Sequence, residues 1–201
     1  MLVLCSNGLS SKEMLSYIRD KVSACKTAAL VVTADNEYKE SNYHVSRCTA
    51  ELESLNLNVD VFDLDKQPAE LLLDYDVVEF IGGNPYYLLH SIRENNAAEI
   101  LRDIAMNRVL IGWSAAAFVF GPTLELVNCY SPEINFLGLT DLRGLSLTQV
   151  QILPHYNKFL SRFEKFEERC CGYEKEHNVR VIRINDGEGV FIDRGIHICR
   201  L

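Results

Sequence analysis

The sequence predicts an α/β fold: a mostly parallel, doubly wound sheet with flanking helices and an antiparallel C-terminal extension. Two observations carry this. Short, β-branched apolar runs alternate with amphipathic stretches through the first two thirds of the 201 residues, as in strands buried on both faces and joined by crossover helices. In the last third, apolar runs are separated by turn residues, as in antiparallel pairs.

The elements follow in order. Leu2, Val3 and Leu4 form the first run. Residues 11–22 place Met14, Leu15, Ile18 and Val22 on one helical face. Residues 29–33 and 59–62 predict the next two strands, with a longer, more polar helical candidate over 38–55. Residues 77–81 and 109–111 predict two more strands. Beyond them, runs at 148–153, 179–184, 189–193 and 196–199 predict the tail strands, interrupted by a charged helical segment over 158–175. Asn185, Asp186 and Gly187 supply turn chemistry between two of these strands.

A 48% hydrophobic composition without a break predicts one core and a single domain over 1–201. The formal net charge of −8 and the pI near 5.2 argue against a phosphate-binding surface. No apolar run approaches the roughly 20 residues needed to span a bilayer, and the start reads as a first strand, without the charged leader of a signal peptide. The seven cysteines are scattered, without the paired short spacings of a zinc site. Reduced thiols in a cytoplasm, and no metal, are expected.

An open α/β sheet gathers its ligand site at the carboxyl ends of its strands. Three segments fall there. Gly112, Trp113 and Ser114 follow an apolar strand and lead into Ala115, Ala116 and Ala117, the pattern of a nucleophile elbow that exposes Ser114; a serine capping a helix at an ordinary strand end fits these residues equally well. Pro154, His155 and Tyr156 follow another strand. A serine hydroxyl needs a base within reach, and His44, His90, His177 and His197 all lie away from predicted strand ends, which leaves His155. Gly82, Gly83, Asn84 and Pro85 follow a third strand, where backbone N–H groups of the glycines and of Ala115 can serve an oxyanion; a plain turn is the alternative.

These segments resemble the dipeptidase E and cyanophycinase family of serine peptidases, whose fold is like that of class I glutamine amidotransferases. The resemblance rests on Phe80 through Leu89, on Gly112 to Ala116 and on Leu153 to Tyr156, in matching order and spacing. It implies Ser114 as nucleophile, His155 as general base and then acid, and Gly83 with Ala115 as oxyanion donors. It further implies cleavage of small peptides beside an acidic residue, with Asn84 and Arg169 as substrate-binding candidates; Arg169 reads equally well as a solvated residue of the charged helix.

The chain departs from the family in two places. Ala116 stands where the family has glycine. The orienting acid is expected between serine and histidine, but the aligned position holds Cys129; Glu133 is favoured because Ser131 and Pro132 suggest a loop able to present it, then Glu125, with Asp141 farther on. The expectation is therefore a cytoplasmic serine hydrolase acting on a small peptide, with no metal, no organic cofactor, no nucleic-acid and no membrane partner, and a homodimer left open. The rival reading is a catalytically weakened binding protein. A cysteine-dependent amidotransferase-like enzyme is disfavoured, since the elbow holds serine.

Overall fold

The computed structural model describes residues 1–193 and 197–201. The first runs become β1 (Leu2–Cys5), β2 (Thr27–Val31), β3 (Asn58–Phe62), β4 (Val77–Phe80) and β5 (Val109–Trp113). Between them lie α1 (Lys12–Lys21), α2 (Val45–Glu53), α3 (Pro85–Glu94) and α4 (Ala98–Asn107), and β5 runs through Ser114 into α5 (Ala115–Phe120). The remainder forms α6 (Glu125–Asn128), β6 (Gln151–Leu153), α7 (Tyr156–Arg162), α8 (Phe166–His177), β7 (Val181–Arg183), β8 (Gly189–Asp193) and β9 (His197–Arg200).

Seven strands make one sheet in the order β3-β2-β4-β5-β1-β8-β9. The first five in that order are mutually parallel, while β8 runs antiparallel to β1 and β9 antiparallel to β8. Alternation along each strand divides the core. Leu2 and Leu4 join one cluster with Leu88, Ile92, Leu101 and Ile104 of α3 and α4. Val3 and Cys5 join another, on the opposite face, with Met14 and Ile18 of α1 and Cys48 and Leu52 of α2. Helix α1 begins where Ser11 accepts a hydrogen bond from Met14 N–H. Among the described residues no helix is long and apolar enough to cross a membrane.

The tail differs from the expectation. Strands β6 and β7 pair parallel, in a separate two-stranded sheet with Leu153 opposite Arg183. Asn185, Asp186 and Gly187 therefore connect two sheets and do not close a hairpin. The expected antiparallel character holds for β8 and β9, although Ile196 lies outside the described residues. The helix expected over 38–55 shrinks to a 3-10 turn, Lys39–Ser41, followed by α2. The one expected over 158–175 divides into α7 and α8, because Lys165 takes a left-handed conformation with φ 51°.

Close packing at the end of β5 depends on absent side chains. A Cβ at Gly112 would lie 2.5 Å from the buried Phe120 ring and 3.1 Å from Ala116 Cβ, both on α5. Gly112 thus makes the room that Ala116 occupies. Gly112→Ala should destabilise the fold by roughly 1–3 kcal/mol through overpacking, read as a lowered urea midpoint; an unchanged midpoint would contradict this account of the strand–helix contact.

Candidate active site

Ser114 sits on a corner that few residues tolerate. Its backbone adopts φ 53° and ψ −109°, a strained conformation for a side chain with a Cβ. The turn is held from below: Ser114 N–H donates to Cys5 O at 3.1 Å, tying the corner to β1. Its hydroxyl makes no hydrogen bond among the described residues and does not cap α5. The capping alternative is thereby removed, and the direct Ser114–His155 hydrogen bond that the sequence suggests is not formed. Both residues nevertheless line the same two cavities.

His155 follows β6 in a left-handed conformation, φ 57° and ψ 26°. Its Nδ1 lies 2.6 Å from Asp186 Oδ1, and Asp186 follows β7, the parallel neighbour of β6. Two further groups complete the cluster. Buried Ser6, just past β1, donates its hydroxyl to Asp186 Oδ1 at 2.8 Å and accepts from His155 N–H at 2.8 Å. Lys158 Nζ lies 2.5 Å from Asp186 Oδ2. An imidazole that donates Nδ1–H to a carboxylate keeps its Nε2 lone pair available as a base.

The charges agree with that tautomer. Burial pushes the His155 imidazole down, the hydrogen bond and charge of Asp186 pull it up, and Lys158 pushes it down again; the balance lies below the ordinary histidine value. Burial alone would raise Asp186, but hydrogen bonds from Lys158, Ser6 and His155 outweigh it and hold the carboxyl below its usual range. At neutral pH the pair is a neutral imidazole against a carboxylate.

None of the three acids that the sequence offers meets His155. Glu133 is exposed and accepts a hydrogen bond from Ser131 Oγ at 2.5 Å. Glu125 faces His177 at 3.7 Å, and Asp141 holds Arg143 at 2.6 Å. The segment carrying them runs between α5 and β6, while the neighbour of His155 is set by the strand beside β6. Asp186 replaces Glu133 as the partner. A strand-end reading of the tail would find it, because Asp186 follows an apolar run just as Ser114 and His155 do.

Gly83 has φ 156°, and a Cβ there would lie 2.2 Å from Ala34 O, so the backbone comes close to its neighbour only as glycine. Gly83 and Ala115, the first residue of α5, line a cavity of 260 Å³ together with Ser114 and His155. The N–H groups of a helix's first turn have no intrahelical acceptor. Asn84 is occupied elsewhere, since its Oδ1 caps α3 by accepting from Tyr86 and Tyr87 N–H and its Nδ2 donates to Ile134 O at 2.8 Å. Both ends of its side chain are thus engaged within the protein, and Asn84 is not among the residues lining the cavity.

The remaining walls of that cavity are mostly apolar, with Phe118, Tyr130, Phe159 and Phe163, and its cation is Arg162. Arg169 lies on the exposed side of α8 and is not among the lining residues. A second cavity of 430 Å³ opens beside Ser114, with polar walls that include Asn7, Asn42, His44 and Lys158. His44, which the sequence places in a helical stretch away from strand ends, packs edge-on against Trp113 with ring centroids 5.1 Å apart.

Comparison with known proteins gives this geometry its class. A sequence model of peptidase family S51 matches residues 2–198. The chain belongs to that family. It is 27% identical over 172 residues to an uncharacterized peptidase of Listeria monocytogenes, which covers 83% of this chain and 82% of that protein. It is 27% identical over 120 residues to peptidase E of a Shewanella species, 59% of this chain and 49% of that protein. A solved structure of a candidate peptidase E from Listeria monocytogenes superposes with a TM-score of 0.78 at 25% identity, covering 100% of this chain and 96% of that one.

His155 titration reports which carboxylate it feels. In NMR the imidazole should protonate below the ordinary value of roughly 6.5, and lower still in Asp186→Asn, since Asp186 stabilises the protonated ring. Glu133→Gln should leave it unmoved. A shift in Glu133→Gln without one in Asp186→Asn would reverse the assignment.

Proposed function

We propose that this chain is a serine-type peptidase that hydrolyses small peptides through an acyl-enzyme. The observation that carries the reading is the strained elbow serine sharing a cavity with a histidine whose Nδ1 is held by Asp186 at 2.6 Å. Ser114 Oγ attacks the scissile carbonyl as His155 Nε2 takes its proton; His155 then gives that proton to the leaving amine. Water repeats the sequence to release the acid. Gly83 and Ala115 N–H groups receive the oxygen that turns negative in the tetrahedral state. Asp186 holds the tautomer and stabilises the imidazolium.

Two features that favoured a weakened binding protein lose their force. Ala116 is accommodated by Gly112, and Asp186 supplies the carboxylate that the aligned position lacks. Among the described residues no cysteine lines either cavity at Ser114, so an amidotransferase-like thiol has no support. The six unpaired cysteines among the described residues favour a reducing compartment, the cytoplasm.

For substrate choice, we read an acidic side chain beside the scissile bond as the partner of Arg162, whose guanidinium borders the cavity among aromatic rings and can pair with a carboxylate bidentately. Arg162→Ala should slow hydrolysis of an aspartyl dipeptide far more than that of a neutral one, whereas Arg169→Ala should affect both little. Equal effects of Arg162→Ala on the two would remove the acidic preference.

The chemistry itself is tested by kinetics. Ser114→Ala should abolish hydrolysis without unfolding the protein, and Asp186→Asn should lower kcat by on the order of 10⁴ by analogy with triads in general. Glu133→Gln should stay near wild type. Wild-type turnover by Ser114→Ala would end the serine-peptidase reading. The acid limb of kcat/KM should fall below roughly pH 6.5, because the base must be neutral and burial lowers its pKa.

A further inference from the structure

Behind the elbow, on the face of the sheet covered by α1 and α2, lies a group of acids that the peptidase chemistry does not use. Glu79 stands within β4, in register with Leu30 and Ile111, and is wholly buried. Neither of its carboxylate oxygens has a hydrogen-bond partner among the described residues, and neither does Glu51 Oε2. Cys48 and Glu51 are three residues apart on α2, hence on one face of the helix. One ligand atom from each of Cys48, Glu51 and Glu79 can be chosen so that all lie within 4.8 Å of one another.

A carboxylate removed from water requires a proton or a positive charge. The cation at hand is Arg47, ion-paired with Glu51 through Oε1 and also donating to Asn7 O at 2.8 Å. With all three acids ionised, Arg47 leaves two negative charges uncompensated in a buried site. A divalent cation cancels both.

We propose that Cys48 Sγ, Glu51 Oε2 and Glu79 bind a divalent, thiophilic cation of the zinc class. The donor set selects the class. A thiolate excludes the oxygen-seeking magnesium and calcium ions, while two carboxylates are too hard for a monovalent copper site, so one sulfur with two oxygens suits zinc. Three protein donors leave one tetrahedral position for water. The Trp113 indole N–H is buried beside Glu79 and Cys48, acting on both side chains while falling short of full hydrogen-bond geometry to either; as a donor it can support the thiolate or that water.

The cluster lies nearest the surface at the loop after β1. Glu51 is 11% exposed at its side chain, and it lies under Gly8, where an added Cβ would stand 3.2 Å from Glu51 Oε2. The cysteine-spacing argument from sequence does not see such a site, since it takes one cysteine and two carboxylates from a helix and a strand. Bound metal would fasten α2 to β4 directly behind Trp113 and so brace the residue that precedes Ser114.

Chelator-stripped, reduced protein titrated with Co²⁺ tests the site without reference to hydrolysis, so its outcome and that of the peptidase reading are separable. One equivalent should produce a thiolate-to-cobalt charge-transfer band that Zn²⁺ displaces. The band should vanish in Cys48→Ser, and affinity should fall by at least ~100-fold in Glu79→Gln, more than an outer-shell change costs. Zn²⁺ should raise the Tm of the wild type and not of Glu79→Gln. A wild type that takes up no stoichiometric Co²⁺ or Zn²⁺ overturns the proposal whether or not the variants fold. A band unchanged in a folded Glu79→Gln overturns it too; burial, which pushes Glu79 to about 8, then simply keeps that carboxyl protonated.

Discussion

Two strands of three residues, paired parallel, bring together side chains 31 positions apart in the chain. Because β6 and β7 end at the same level, His155 and Asp186 leave their carboxyl ends side by side, and an antiparallel pairing would have sent them to opposite ends. Ser6 then links this small sheet to the large one. Its hydroxyl is bonded to Asp186 and to the His155 backbone, while Ser114 N–H is bonded to Cys5 O one residue earlier. The end of β1 is thus the common reference for the candidate nucleophile and its base.

The elbow is held by close packing as much as by hydrogen bonds. A Cβ at Gly82 would lie 2.5 Å from the Trp113 ring, and one at Gly112 would lie 2.5 Å from Phe120. Trp113 is in turn flanked by His44 and by Arg47, whose guanidinium carbon lies 5.7 Å from the ring centre. Strain at a single residue persists only when its surroundings over-determine it, and here the β1, β4, β5 and α5 contacts do so. The Ala116 methyl, which looks like crowding in the sequence, fills space left by Gly112.

Much of this is legible without coordinates. Strands buried on both faces are largely apolar, so β1, β2, β4 and β5 stand out in the sequence, while the edge strand β3, exposed over most of its length, shows only through Val59, Val61 and Phe62; Ser114, Gly83 and His155 follow from asking what lies at strand ends. The tail misleads for a physical reason. Asn185, Asp186 and Gly187 carry the chemistry of a hairpin turn, and β7 is too short to display a burial period, so local preference points to a hairpin where long-range pairing makes a crossing between sheets. That local signal hides Asp186 and turns attention to Glu133. Arg169 stands on the exposed side of α8, while Arg162, at the end of α7, borders the cavity. Ser6 carries a strand-end signal of its own, at the close of β1, but a lone serine there has no local pattern to distinguish it.

The central claim is that the corner after β5 presents an activated serine hydroxyl. Its most direct test is covalent: treat the folded protein with an organophosphonate that reacts with activated serines, and locate the adduct by peptide mass mapping. The account predicts one stoichiometric adduct on Ser114, formed much more slowly in His155→Ala. No adduct on the native protein, or one on a different residue, would contradict it.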